Sequence, residues 1–156
     1  MTASRVEARL AELGLTLPEV AAPLASYVPA VRTGRYLHTA GQLPLVDGAL
    51  PATGKVGSEV SPEQAKELAA RCALNGLAAI KSVCGDLDRV VRVVKVTGYI
   101  ASAPHFTGQP GVLNGASELL GEVFGEAGVH ARSAVGVAVL PIDAPVEVDF
   151  QVELAD

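Results

Sequence analysis

Tryptophan is absent from this sequence, and its aromatic side chains are limited to three tyrosines and three phenylalanines. Runs of basic residues are missing too: 12 lysines and arginines face 17 aspartates and glutamates, for a net charge of −5 spread along the chain. That leaves neither the basic, ring-lined groove that single strands stack in nor a broad phosphate-tracking surface, so no nucleic-acid partner is expected. A small anion can still be held locally.

Cysteine is scarce, with only Cys72 and Cys84. Both fall within one expected helix at a separation of about 18 Å, beyond disulfide reach, so they read as buried free thiols. The three histidines, His38, His105 and His130, stand apart, and no C-x-x-C or H-E-x-x-H spacing suggests a metal site. No apolar stretch approaches the roughly 20 residues of a membrane helix. The opening "MTASRVEARLAELG" also has neither the apolar core nor the cleavage site of a secretory signal, so the expected location is cytoplasmic.

What is present is a chain of 156 residues, 49% apolar and 19% charged, which reads as a single domain over 1–156 with residues 1–26 as an N-terminal helix and lead-in. Ser4 and Glu7 form a capping box, Val6, Leu10 and Leu13 follow at helical spacing, and this first helix reads as an appendage. Thr33-Gly34 separates two strand-like runs and predicts a hairpin of about 27–32 and 35–43, with Pro29 favouring an edge. A short strand is expected near Lys55 and Val56. Ser61-Pro62-Glu63-Gln64 is a helix start, and Ala65, Leu68, Ala69, Cys72, Gly76, Ala79, Ile80 and Val83 trace one apolar face up to Gly85.

Residues 89–102, "RVVRVVKVTGYIAS", are rich in β-branched side chains and read as a central strand. A long loop over 103–117 leads to a second helix carrying Val112, Leu113, Ala116, Leu119, Leu120, Val123 and Phe124. Two strands close the chain, 133–140 and 145–154. The first reads as buried, with valines at 135, 137 and 139 alternating with Ala134, Gly136 and Ala138. The second alternates Val146, Val148, Phe150 and Val152 with Glu147, Asp149, Gln151 and Glu153. The order implies an α+β two-layer fold: a mixed β-sheet with two long helices on one face. Its other face, small and acidic, meets either solvent or another subunit.

Arg132 and Glu147 are expected on neighbouring strands joined by "PIDAP". They fit two readings: a structural ion pair, or a guanidinium fork for a ligand carboxylate beside an acid that handles water.

Several blocks, in this order, carry a resemblance: "YVPAVRTG" with "AGQLP", "ALNGLAAIKSV", "VVKVTGYI", "ARSAVGVAVLP" and "VEVDFQVE". Together they resemble the RidA/YjgF reactive-intermediate deaminase family over nearly the whole chain from Tyr27. The resemblance implies a chorismate-mutase-like homotrimer with clefts between subunits. It implies hydrolytic deamination of enamines or imines such as 2-aminoacrylate to 2-keto acids and ammonia, with no cofactor. Carried over by position, Arg132 binds the substrate carboxylate, Glu147 orients the water as catalytic acid, Tyr27 lines the cleft, Gly41 offers backbone contacts, and Asn114 is the family's helix-start asparagine. The expected partners are then a small carboxylate metabolite and other copies of the chain, with no membrane.

The sequence departs from that family at Ala40, where many deaminating members carry serine. The lost hydroxyl removes a donor worth about 1 kcal/mol where solvent replaces it. A non-catalytic binder of small carboxylates is therefore the alternative, and ribonuclease activity a weaker one. His38, two residues from Ala40, could point into the cleft, but isolated histidines are more often structural; His105 and His130 read as solvated loop residues.

Overall fold

The computed structural model describes residues 3–20, 22–23 and 25–156. Five strands form one sheet: β1 (Ala30–Thr33), β2 (Tyr36–Thr39), β3 (Val90–Ala101), β4 (Ala131–Val137) and β5 (Val146–Leu154). Their order is β1-β2-β5-β3-β4, antiparallel throughout except for the β3–β4 pair. Two long helices, α2 (Pro62–Cys84) and α3 (Gln109–Phe124), cover one face, and a short α1 (Arg5–Glu12) precedes the sheet. This is the expected two-layer α+β arrangement with a mixed sheet.

The helices form where their termini dictate. Ser61 accepts a hydrogen bond from the Gln64 amide with Pro62 in the first turn, and Gly85 ends α2 at φ +85°, a left-handed conformation that glycine adopts without strain. Val83 departs from the expected apolar face: it is 43% exposed, while the other positions named for that face are buried. α3 begins eight residues before the end of the expected loop, since Pro110 is tolerated in a first turn whose amides lack helical partners anyway. Gly115, inside α3, is there for packing. A Cβ on it would lie 1.9 Å from the Lys66 carbonyl oxygen, so only glycine lets α2 and α3 approach so closely.

The first helix is no appendage. Val6 and Leu10 are buried in the core, and Asp88 accepts hydrogen bonds from the amides of Arg5 (2.8 Å) and Val6 (2.9 Å) and from Ser4 Oγ (3.2 Å). Lys81 and Glu7 add an ion pair. The hairpin is shorter than expected, with Gly34 and Arg35 as a two-residue loop, so Tyr27 lies before β1 in a bend. The expected strand near Lys55 is reduced to isolated bridges of Val56 to Val60 and to Ser102, with Val56 donating to the Ala101 carbonyl at 2.7 Å.

The last two strands need the largest corrections. β5 buries Val146, Val148, Phe150 and Val152 beneath the helices, as its alternation predicts. β4, however, lies at the sheet edge, and its valines are on the outer face with Val135 41% exposed; it is Arg132, Ala134 and Gly136 that face α3. Period two divides a strand into two sets but does not say which faces the helices. Nor are β4 and β5 neighbours, because β3 lies between them. Arg132 is level with Val96 and Glu147 with Tyr99, which separates them by about 10 Å across the sheet and about 10 Å along it, on opposite faces. The ion-pair reading of these two residues is thereby excluded within one chain.

Candidate functional site

The residues picked from the sequence fall into two groups. The first is built on α3 and β4. Asn114 and Ser117 are three apart in α3 and share the face beside the buried one, while β4 carries Arg132 alongside. Arg132 Nη1 donates to Ser117 Oγ at 3.1 Å, and Nη2 donates to the Pro110 carbonyl at 3.1 Å. None of the ion pairs among the described residues includes Arg132. Two of its five N–H groups have these neutral acceptors, and the fork carries an uncompensated positive charge. Beside it opens a hollow of about 320 Å³ lined by Asn114, Ser117, Val129, His130 and Arg132.

His130 is not the solvated loop residue that the sequence suggests. Its Nδ1 lies 2.6 Å from the Gly128 carbonyl, which can only accept, so Nδ1 carries the proton. In the neutral ring Nε2, 2.9 Å from Ser117 Oγ, then accepts the serine's hydrogen. Asn114 is also placed differently from expectation. Since α3 starts at Gln109, it lies in the second turn rather than at the helix start.

The second group is built where β2 ends against β5. His38 pairs with Gln151 and Gln42 with Val148, so four steps on one side match three on the other. The extra residue of such a bulge bends the strand and re-aims its neighbours. The result brings Gly41 over Glu147: a Cβ at 41 would lie 2.6 Å from Glu147 Oε2. Buried Asn75 of α2 fixes the segment from behind, donating to the Leu43 (3.0 Å) and Leu45 (3.1 Å) carbonyls, and Arg71 Nε donates to the same Leu45 carbonyl at 3.0 Å. Tyr27, Pro29, Gly41 and Gln42 help line a small hollow of about 30 Å³, enough to admit a water.

Partial burial pushes the Glu147 carboxyl above the usual carboxylate range, and the like charge of Asp149, on the same face, raises it further. Burial raises Asp149 as well, opposed by a hydrogen bond from Tyr99. Burial likewise drives the Cys72 thiol well up, with Glu147 adding to the effect, so Cys72 is held as a neutral thiol. Both cysteines are free and buried, as expected. His38 lies on the outer face of β2, level with Gln151, and His105 is exposed in a turn.

One chain therefore brings Arg132 to Asn114, and Gly41 to Glu147 and Tyr27, but does not bring the two groups together. Sequence reasoning passed over Ser117, His130 and Asn75. The i,i+3 spacing of Asn114 and Ser117 could have revealed the first; nothing in the sequence places His130 beside it. Among the described residues there is no cluster of three metal-binding side chains, and no helix is long and apolar enough to cross a membrane.

Residues 7–154 match the family described as "YjgF/chorismate_mutase-like, putative endoribonuclease". The chain belongs to the RidA/YjgF family. It is 47% identical over 155 residues to Protein TCP17 of Trypanosoma cruzi, covering 99% of this chain and 97% of that one. Among solved structures, Atu1372 of Agrobacterium tumefaciens, of unknown function, is 47% identical with a TM-score of 0.90, covering 97% of this chain and 93% of that one. TdcF of E. coli, crystallised with bound serine, is 23% identical with a TM-score of 0.61, over 90% of this chain and 96% of TdcF, and shows the shared fold. The RidA/YjgF fold is thus the frame in which the two groups of residues are held.

Proposed function

We propose that the chain hydrolyses small imines and enamines that carry a carboxylate, of the 2-aminoacrylate kind, to 2-keto acids and ammonia, in clefts shared between copies of a homotrimer. What supports this reading is the division of the site: a cation with no ion pair among the described residues lines one hollow, an acid of raised pKa lies against Gly41 on the opposite face of the sheet, and the two are kept apart within one chain. A second copy presenting its Glu147 side to the Arg132 hollow completes the set. The carboxylate-bearing end of the substrate then meets Arg132, where paired hydrogen bonds grip it. Asn114 and Ser117 line the same hollow.

The chemistry asked of the protein is modest. An enamine first takes a proton at its terminal carbon and loses one from nitrogen to become the imine. Water then adds to the imine carbon, forming a C–O bond as the C=N π electrons move to nitrogen, and collapse of the carbinolamine passes its hydroxyl proton to nitrogen, forms C=O, breaks C–N and releases ammonia. Glu147 holds the water and takes its proton as it attacks, and a raised pKa suits a group that must then give the proton to the leaving nitrogen. The net charge of −5 and the shortage of rings oppose an RNA substrate. Ala40 supports one other reading, a binder of small carboxylates without turnover, since it removes the hydroxyl carried by many deaminating members.

The test generates an imine in situ with an amino acid oxidase and follows keto-acid release. The full chain should accelerate release, and Arg132→Ala should reduce the acceleration by about 30-fold or more, as expected when one partner of a desolvated charge pair is cut away. Acceleration that survives Arg132→Ala sinks the assignment, and keto-acid binding without acceleration supports the binder.

A further inference from the structure

We propose that His130 and Ser117 are positioning residues of the Arg132 site, whose protonation state decides whether the Ser117 hydroxyl is turned away from a bound carboxylate or toward it. This rests on the reading that the Arg132 hollow receives a carboxylate.

The hydrogen bonds run in one direction. Arg132 Nη1 donates to Ser117 Oγ, Ser117 donates to His130 Nε2, and His130 Nδ1 donates to the Gly128 carbonyl. Both ring nitrogens are thus engaged, and the serine's hydrogen is spent on the ring. With a neutral imidazole, Ser117 steadies the guanidinium but offers the hollow no donor. A proton arriving at Nε2 reverses that bond. The ring then donates to Oγ, whose second lone pair still accepts from Arg132, and the hydroxyl hydrogen is released to rotate into the hollow. An anion held there gains one hydrogen bond and one nearby positive charge.

The charged side chains on the elements around the ring bear on this proton. Arg132 of β4 opposes it until a carboxylate neutralises the fork. Arg92 of β3, which donates to the Val129 carbonyl at 3.3 Å, opposes it more weakly. Glu118 and Glu122 of α3 and Glu126 in the following turn favour it, although Glu118 is already paired with Lys66.

Titration calorimetry of the full chain with pyruvate, from pH 5.5 to 8.5, tests the proposal. Wild-type affinity should rise about three- to tenfold as pH falls, the scale of one added hydrogen bond that water partly competes with, with proton uptake on binding. His130→Gln keeps an acceptor for Ser117 without a titrating ring. It should hold the alkaline affinity within about twofold and flatten the pH profile. His130→Ala frees the Ser117 hydroxyl without adding a charge and should bind at least as tightly as the wild type does at pH 8.5, whereas Ser117→Ala removes the hydroxyl and should bind no better than that at any pH, both without a slope. An unchanged slope in His130→Gln, or wild-type binding by His130→Ala at every pH, overturns the proposal and leaves the carboxylate site standing. Failure of the wild type to bind pyruvate, or undiminished binding by Arg132→Ala, overturns the carboxylate site itself, and the proposal with it.

Discussion

The Arg132 hollow and the Glu147 shelf lie on opposite faces of the same sheet, and each leaves a charge without its opposite. Arg132 has only neutral oxygens around it, from Ser117 and Pro110, and sits at the sheet edge where water reaches it. Glu147 is half-buried beside a second acid, Asp149, to which Tyr99 donates a hydrogen bond. Within one chain, β3 and the thickness of the sheet hold this cation and these acids apart. They are two different surfaces of one chain. A contact that joins one patch to a different patch on the next copy is head-to-tail, and it closes on itself only as a ring.

The sharpest way to break this comparison is to separate the two charges onto different chains. Arg132→Ala and Glu147→Gln should each be inactive alone in the imine assay. After mixing, unfolding and refolding at equal amounts, about a quarter of the clefts in a randomly assembled ring receive both intact groups, so about a quarter of wild-type activity should return. No recovery, with mixed oligomers shown to form, would mean that the two groups do not share a cleft.

That division was only half legible in the sequence. The caps at Ser4 and Ser61, the alternation in Val146–Leu154 and the hydrophobic rows of α2 are local signals, and the elements they predict are present. Side-chain chemistry at positions 132 and 147 is local as well, and the family blocks around them are distinctive. The misplaced features are those that depend on strand order. "PIDAP" looks like a turn between neighbours, yet its left-handed Ile142 and Asp143 lead the chain past β3 instead. With β4 at an edge, its period of two could not show that the small residues, rather than the valines, meet α3. His130 follows the same rule: its ring finds Ser117 only because parallel pairing brings the start of β4 alongside the middle of α3.

A smaller effect should come from Gly41→Ala, which acts on the Glu147 side alone. The new methyl would lie 2.6 Å from Glu147 Oε2 and 2.8 Å from its carboxyl carbon, while the backbone at 41 needs no left-handed φ. The glutamate's end is flexible and can swing aside, so stability should fall by less than about 1.5 kcal/mol, the range of a tolerated repacking. The displaced carboxylate should nevertheless lower kcat/KM about tenfold, because a water held an ångström out of place attacks poorly. Binding of pyruvate at Arg132 should be affected much less. A melting temperature far below wild type, or unchanged kcat/KM, would show that Gly41 serves the fold rather than the acid.

The smallest expected effect is on stability and tells the two charges apart by sign. Burial and Asp149 raise the Glu147 carboxyl above its unfolded value, so folding favours its protonated form. The penalty is absent below the ordinary carboxylate range and grows as pH rises through the raised folded value, which means stability is lost with increasing pH over that window. Glu147→Gln removes the charge and should raise the melting temperature at pH 7.5 by about 2 °C, with the difference disappearing on acidification below the ordinary carboxylate range. Arg132→Gln, which relieves no buried charge, should show no such pH-dependent gain. Were Glu147→Gln to melt lower at pH 7.5, the carboxylate would already have its counter-charge in the folded assembly, and the acid would be a structural partner instead of one held ready for water.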